Sequence, residues 1–220
     1  QACLSDNFEN MKIITDLIFR RFPDADFTNP FMCAIKAKGI DICKYFIDKE
    51  VHINLYTLSN ESSNLTLIDV QIFRLLIQKA EPEMKEILLG SFLYESLKSN
   101  NIDLAEYLLN QNVPYENALF EAVKSHEIEM VKIVIKRDNQ PSFINQISEV
   151  GTALNLAVQN NNYDIVKYLL SIPEIDADLY EQYNHTPLIT AITNFNMPMI
   201  NLLLDYYGEK IESQTWQLNI

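Results

Sequence analysis

Glycine is scarce in this chain, with 4 in 220 residues. That excludes a glycine-rich loop of the kind that cradles phosphates. Bases are few: 17 Lys and Arg stand against 30 acids, for a net charge of −13. Binding nucleic acid through its phosphates needs a basic stripe, and none is present, so nucleic acid is excluded as a direct partner. No apolar run approaches the ~18 residues of a membrane span, and membrane insertion is not expected. Residues 1–20 lack a basic start followed by a clean apolar stretch, so no secretion signal is visible. Opening on Gln1, with a helix-like run soon after, suggests a piece of a longer chain.

Cysteine and histidine are equally sparse. Cys3, Cys33 and Cys43 are odd in number and have no metal-binding spacing. This usage fits a reducing compartment, and a cytoplasmic location is expected. Cys33, Cys43 and His52 could be imagined as a metal cluster. The two cysteines, however, fall on different helices of one expected hairpin, each with a packing role of its own. His126 and His185 lie in other stretches. No metal, cofactor or small-molecule substrate is therefore expected. Serine-rich stretches such as Ser59–Ser63 have no strained glycine turn to present a nucleophile. Acid pairs such as Asp176/Asp178 and Glu127/Glu129 read as solvated charge on an acidic surface. No catalytic residue is assigned. The sequons at Asn60, Asn64 and Asn184 carry little weight without a secretion signal.

What the chain does have is a recurring pattern. A small residue is followed six positions later by an apolar one, then by an acidic or polar residue, then by an apolar run. At Ala157 it continues as Tyr163-Asp164-Ile165-Val166-Lys167-Tyr168-Leu169-Leu170. Other copies are anchored on Ala34, Ser96, Ala122 and Ala191. The steps between anchors, in chain order, are 62, 26, 35 and 34 residues. A period near the last two means stacked helical hairpins. The long step predicts a degenerate copy within residues 51–84, where Leu65–Ile77 is apolar enough for a helix. The short step predicts a lost loop between Asn110 and Tyr115. Phe8, Met11, Ile14, Leu17 and Ile18 space as one amphipathic helix, the second half of a further hairpin. Pro23, Pro114, Pro141 and Pro173 fall between copies. The small anchors imply close approach of neighbouring helices. No single hairpin can bury both its faces alone, so stacking must supply the core.

These motifs resemble the ankyrin repeat. That family opens its first helix with Thr-Pro-Leu-His-x-Ala, which Thr186-Pro187-Leu188 with Ala191 and Thr152-Ala153-Leu154 with Ala157 match. Ile189 and Asn155 replace the His. Asp164-Ile165-Val166, Glu129-Met130-Val131 and Asp41-Ile42-Cys43 match the opening of the family's second helix. Asn100, His126, Asn161 and Phe195 stand where the family places a turn glycine, and only Gly39 lies near one. Asn and His tolerate the left-handed conformation better than most residues. The degenerate, asparagine-rich style is similar to ankyrin proteins of protist parasites.

The expectation is therefore an all-α fold, a right-handed solenoid of about six ankyrin-like helical hairpins in one domain spanning 1–220. Its repeats would lie near 1–28, 29–50, 51–84, 85–113, 114–146, 147–180 and 181–213. Tyr45, Phe46, Tyr107 and Tyr168 would pack the stack, and Tyr115, Tyr180 and Tyr183 would lie in loops. The resemblance implies a protein-binding scaffold or adaptor. It implies a concave face built from inter-repeat loops and the exposed end of each first helix. The residues two and three positions beyond each anchor are Lys36-Ala37, Lys98-Ser99, Lys124-Ser125, Gln159-Asn160 and Thr193-Asn194. Lys36, Lys98, Lys124, Gln159, Asn160, Thr193 and Asn194, with the loop residues Tyr180 and Tyr183, are the candidate partner contacts. A non-catalytic arm of a larger enzyme or channel, and a self-associating repeat, are the alternatives.

Overall fold

Small anchors need close neighbours, and all five anchors are buried: Ala34, Ser96, Ala122, Ala157 and Ala191. Their surroundings were obtained as a computed structural model describing residues 8–54, 57–58, 68–111, 113–179 and 186–218, with side chains to Lys210. Thirteen helices are described: α1 (Phe8–Arg21), α2 (Thr28–Lys36), α3 (Ile40–Asp48), α4 (Val70–Lys79), α5 (Pro82–Lys98), α6 (Ile102–Leu109), α7 (Ala118–Lys124), α8 (Ile128–Arg137), α9 (Pro141–Ile144), α10 (Ala153–Gln159), α11 (Tyr163–Leu170), α12 (Pro187–Thr193) and α13 (Met197–Leu218). Among the described residues there is no strand, only the isolated bridges Asp26–His52 and Ser148–Gly151. The protein is an all-α stack of helical hairpins.

The chain forms two compact units, residues 1–115 and 116–220. In the first, α2 pairs with α3 and α5 with α6, while α4 packs on α3 and α6. In the second, α7/α8, α10/α11 and α12/α13 are three successive hairpins. α10 lies between α7 and α12. The division falls in the connector from α6 to α7, where the 26-residue step had removed a loop.

The second helices share one register. Counted from the anchor, positions +8, +9, +12 and +13 are buried in α3 (Ile42, Cys43, Phe46, Ile47), α6 (Leu104, Ala105, Leu108, Leu109), α8 (Met130, Val131, Val134, Ile135) and α11 (Ile165, Val166, Leu169, Leu170). Helix α4 buries Ile72, Phe73, Leu76 and Ile77 in the same spacing, which puts its anchor position at residue 64. The degenerate copy is thus a repeat whose second helix keeps the register. Leu65, Leu67, residue 64 itself and the loop Ser59–Asn64 lie outside the described residues. Helix α1 follows suit with buried Met11 and Thr15 at +8 and +12.

The apolar pattern and the core do not coincide everywhere. The apolar residue six positions past each anchor sits at the start of its helix and does not enter the core: Ile40 and Ile128 are half-buried, and Ile102, Tyr163 and Met197 are exposed. The buried set begins two residues later. Ile14, Leu17 and Ile18 of α1 are exposed, with no described residue covering that side of the helix. Cys33 is exposed on the outer face of α2, so its packing role fails, whereas Cys43 is fully buried.

Turns and caps of the repeat

The turn joining the two helices of a hairpin is where the chain must reverse within three residues. Its fourth position past the anchor is left-handed in every described copy: Lys38, Asn100, His126, Asn161 and Phe195 have φ between 53° and 64°. Asn100, His126, Asn161 and Phe195 are the four residues expected there. In the first copy the strain falls on Lys38, while Gly39 has φ −80° and serves as the cap of α3.

The next residue caps the second helix. Asn101, Asn162 and Asn196 each accept a hydrogen bond from the backbone N–H three residues on. That satisfies an orphan donor of the first turn. The same amides also reach back one repeat. Asn101 Nδ2 donates to the Ile68 carbonyl at 3.2 Å and Asn162 Nδ2 to the His126 carbonyl at 3.3 Å. Asn196 Nδ2 donates to Asn161 Oδ1 at 2.8 Å. At these three positions asparagine is structural, because one amide both caps a helix and joins neighbouring turns. Asp69 occupies the cap position of α4 and accepts from Gln71 N at 2.7 Å. Its carboxylate has no N–H to reach back with.

First helices open on a second kind of cap. The hydroxyls of Thr152 and Thr186 accept from Asn155 N and Ile189 N. This is the chemistry behind the Thr at the head of the motif. Gly151, just before Thr152, has φ +87°, and a Cβ there would stand 2.7 Å from Asn155 Nδ2.

Candidate protein-binding face

A short first helix that buries its anchor has few positions left for a partner, and in α10 the anchor's two neighbours are buried as well. In α10 every residue from Ala153 to Val158 is buried, and Gln159 is the one exposed residue. In α7 the exposed residue is Lys124, whose Nζ lies 2.8 Å from Glu121 Oε1. Lys36, Lys98 and Thr193 take the same place at the ends of α2, α5 and α12, and all three are exposed. Asn160 is half-buried and Asn194 exposed, each at the helix's C-terminal cap. Because α10 packs against both α7 and α12, Lys124, Gln159 and Thr193 end three adjacent helices of the second unit. Lys36 and Lys98 belong to the first unit. Tyr180 and Tyr183 lie outside the described residues.

Two exposed side chains beside this row were missed by the sequence reading. Tyr94 on α5 and Ile189 on α12 both lie two positions before the anchor. The equivalent residues Phe120 and Asn155 are buried. The signal was an aromatic or β-branched residue at a position whose burial varies from copy to copy.

The loops between hairpins are tied laterally. Asn145 accepts from Asp176 N at 2.9 Å and donates to the Glu174 carbonyl at 2.8 Å. Asp26 accepts from both the backbone N–H and the hydroxyl of Thr28. Those bonds hold its carboxyl below the usual range. The Tyr207 hydroxyl donates to the Ala177 carbonyl at 2.8 Å. Among the described residues no group of three His, Cys, Asp or Glu is placed to hold a metal ion. Among them too, no helix is long and apolar enough to cross a membrane.

A family description of ankyrin repeats matches residues 119–215, with 3 copies. Residues 119–215 are similar to three ankyrin repeats. Similar proteins include the human transient receptor potential cation channel subfamily A member 1, 28% identical over 57% of this chain and 12% of the channel subunit. An ankyrin repeat protein of Acanthamoeba polyphaga mimivirus is 27% identical over 47% of this chain and 56% of its own length. The chain thus spans less than two thirds of either relative. Among solved structures, the ankyrin repeat domain of Bcl-3, a member of the IkappaB protein family, superposes with a TM-score of 0.60. That match covers 92% of this chain and 95% of Bcl-3's domain at 16% identity, a likeness of fold alone. The family match spans both Thr caps, the anchors Ala122, Ala157 and Ala191, and the left-handed turns at His126, Asn161 and Phe195.

Proposed function

We propose that this chain is a non-catalytic, cytoplasmic protein-binding module, a scaffold or adaptor, whose partner seats on the ends of the first helices. The observation that supports this most is one register position that is exposed in all five described first helices. Two residues past the anchor, Lys36, Lys98, Lys124, Gln159 and Thr193 are all exposed, while burial at the other positions varies from helix to helix. Ankyrin repeats are generally interaction modules, and a fold carries function in the residues grafted on it. Asn160 and Asn194, and the loop residues Tyr180 and Tyr183, would extend the same concave face. Loop tyrosines offer large contact area at low entropic cost.

The test is capture of partners by the purified chain, in parallel with a variant carrying Lys124→Glu, Gln159→Arg and Thr193→Arg. A partner held by the parent and lost by the variant supports the face. Equal capture by both would remove it. A second reading draws on the channel relative, of which the stretch matched by this chain is 12%. There the chain is a non-catalytic arm, and its partner is another part of the same assembly.

A further inference from the structure

Neighbouring hairpin turns are joined by a recurring hydrogen bond. The cap residue of a second helix, five positions past the anchor, donates its amide to a carbonyl four positions past the preceding anchor. Asn101 reaches the Ile68 carbonyl in this way, and Asn162 the His126 carbonyl. In the degenerate repeat the cap position is Asp69. By register, its counterpart is the carbonyl of Lys38, on the turn before α3. An ionised carboxylate and a carbonyl are both acceptors, so no direct hydrogen bond can join them.

At this junction there is a cavity instead. Lys38 and Asp69 both line it, within the first unit, and its volume is about 380 Å³. That is at the lower end of the range for small-ligand pockets. Half-buried Ile40 and Val70 line it too, together with buried Ile68 and Ile72. Asp103, exposed on the first turn of α6, adds a second carboxylate. Lys38 is the one base among the lining residues, so their net charge is negative. The Asp69 carboxylate accepts from Gln71 N at 2.7 Å, and the Lys38 carbonyl from Ile40 N at 3.0 Å. Each has further lone pairs to offer. The complement of such a site is a cation with donors pointing two ways and an apolar stem.

We propose that this cavity binds an arginine side chain of a protein partner. The guanidinium is a planar fork of five N–H donors. It can donate at once to the Asp69 carboxylate and to the Lys38 carbonyl, and so supplies the link that an asparagine amide makes between other turns. Its methylene stem lies on Ile40 and Val70. The inference does not rest on the partner contacts proposed at the first-helix ends.

The probe is the tripeptide glycyl-arginyl-glycine, blocked at both ends, titrated into the 220-residue chain with its isoleucine methyls observed by NMR. The methyls of Ile40, Ile68 and Ile72 should shift and saturate, while that of Ile165, fully buried in the second unit, stays unmoved. The citrulline tripeptide keeps the shape without the charge, and the lysine tripeptide keeps the charge without the fork. Each should bind at least about tenfold more weakly. Asp69→Asn keeps a capping side chain and brings the amide that α4 lacks. It should melt higher than the parent and bind the probe at least about tenfold more weakly. Asp69→Ser also caps but has neither charge nor amide, so it should lose binding to the same degree without melting higher than the parent. If neither variant folds, Asp103→Asn, at an exposed position, takes their place with the same loss of binding expected. Shifts that never saturate, shifts that reach Ile165 equally, or equal binding of the citrulline or lysine tripeptide overturn the proposal. Undiminished binding by the variants does so too. So does an Asp69→Asn chain that melts no higher than Asp69→Ser, because the cavity would then not mark a missing bond.

Discussion

Residues two apart in α10 have opposite roles, and the anchor register assigns them. Ala157 is fully buried where α10 meets its neighbours, and Gln159 is exposed at the helix end. Ala157→Leu forces extra methylenes into a closed contact and should cost about 1–3 kcal/mol or more. Gln159→Ala should stay within about 0.5 kcal/mol. Denaturant melts of both compare them directly, and equal damage would show the register to be wrong. Phe195 tests the turn. A bulky residue at φ 53° is strained, and its side chain is 88% exposed, so no packing compensates. Phe195→Gly should raise stability by about 0.5–1 kcal/mol, the strain relieved being partly offset by glycine's freedom in the unfolded chain. A lower melting temperature for that variant would contradict it.

Helix contacts bring in pH. The hydroxyl of Tyr45 on α3 is half-buried and donates to Asp16 on α1. Burial first, and then that hydrogen bond, push its pKa up from 10.0 to about 12. A raised folded value contributes stability that is complete below pH 10 and lost as pH climbs toward about 12. The parent's denaturation midpoint should therefore fall across that window. Tyr45→Phe should fall less, though not to zero, since the pKa of Tyr207 is raised as well. An identical decline in both proteins would rule the contact out as the cause. At the acid end, the Tyr45 hydroxyl and the Lys49 ammonium hold the carboxyl of Asp16 below its ordinary 3.8. That contribution is present above pH 3.8 and lost below it. These elements were legible in the sequence to very different degrees. The five anchors followed from spacing and the four left-handed turn residues from the ankyrin resemblance, while the capping role of Thr152 and Thr186 was not read. The anchor of the degenerate repeat did not follow either, because it carries no small residue and only the burial of Ile72, Phe73, Leu76 and Ile77 restores the count. The exposure of Ile14, Leu17 and Ile18 was also hidden, since an amphipathic pattern records that a helix has an apolar face and not whether anything covers it. Of the candidate face, the position along each first helix could be read, but neighbours such as Tyr94 could not.

Each unit's independence is a separate question from its architecture. Stacks of this kind gain stability from contacts between adjacent repeats, and about three repeats are the minimum for a lasting fold. Residues 116–220 hold three complete hairpins, α7/α8, α10/α11 and α12/α13. Their shared core includes Leu119, Val123, Met130, Val134, Leu154, Ile165, Leu169 and Leu203, all buried. The ankyrin match covers 119–215, almost the same span. Residues 1–115 hold two complete described hairpins, α2/α3 and α5/α6, with α1 and α4 beside them. A fragment of 116–220 should therefore fold alone, with a helical spectrum and one cooperative melt. A fragment of 1–115 should melt lower, because its degenerate repeat interrupts the row of anchors and its cap Asp69 lacks the reaching amide of Asn101, Asn162 and Asn196. Thermal melts of the two fragments by circular dichroism decide the order. An unfolded 116–220 fragment would mean that its three hairpins depend on contacts outside their own span, and a 1–115 fragment melting higher would assign the weaker packing to the wrong unit.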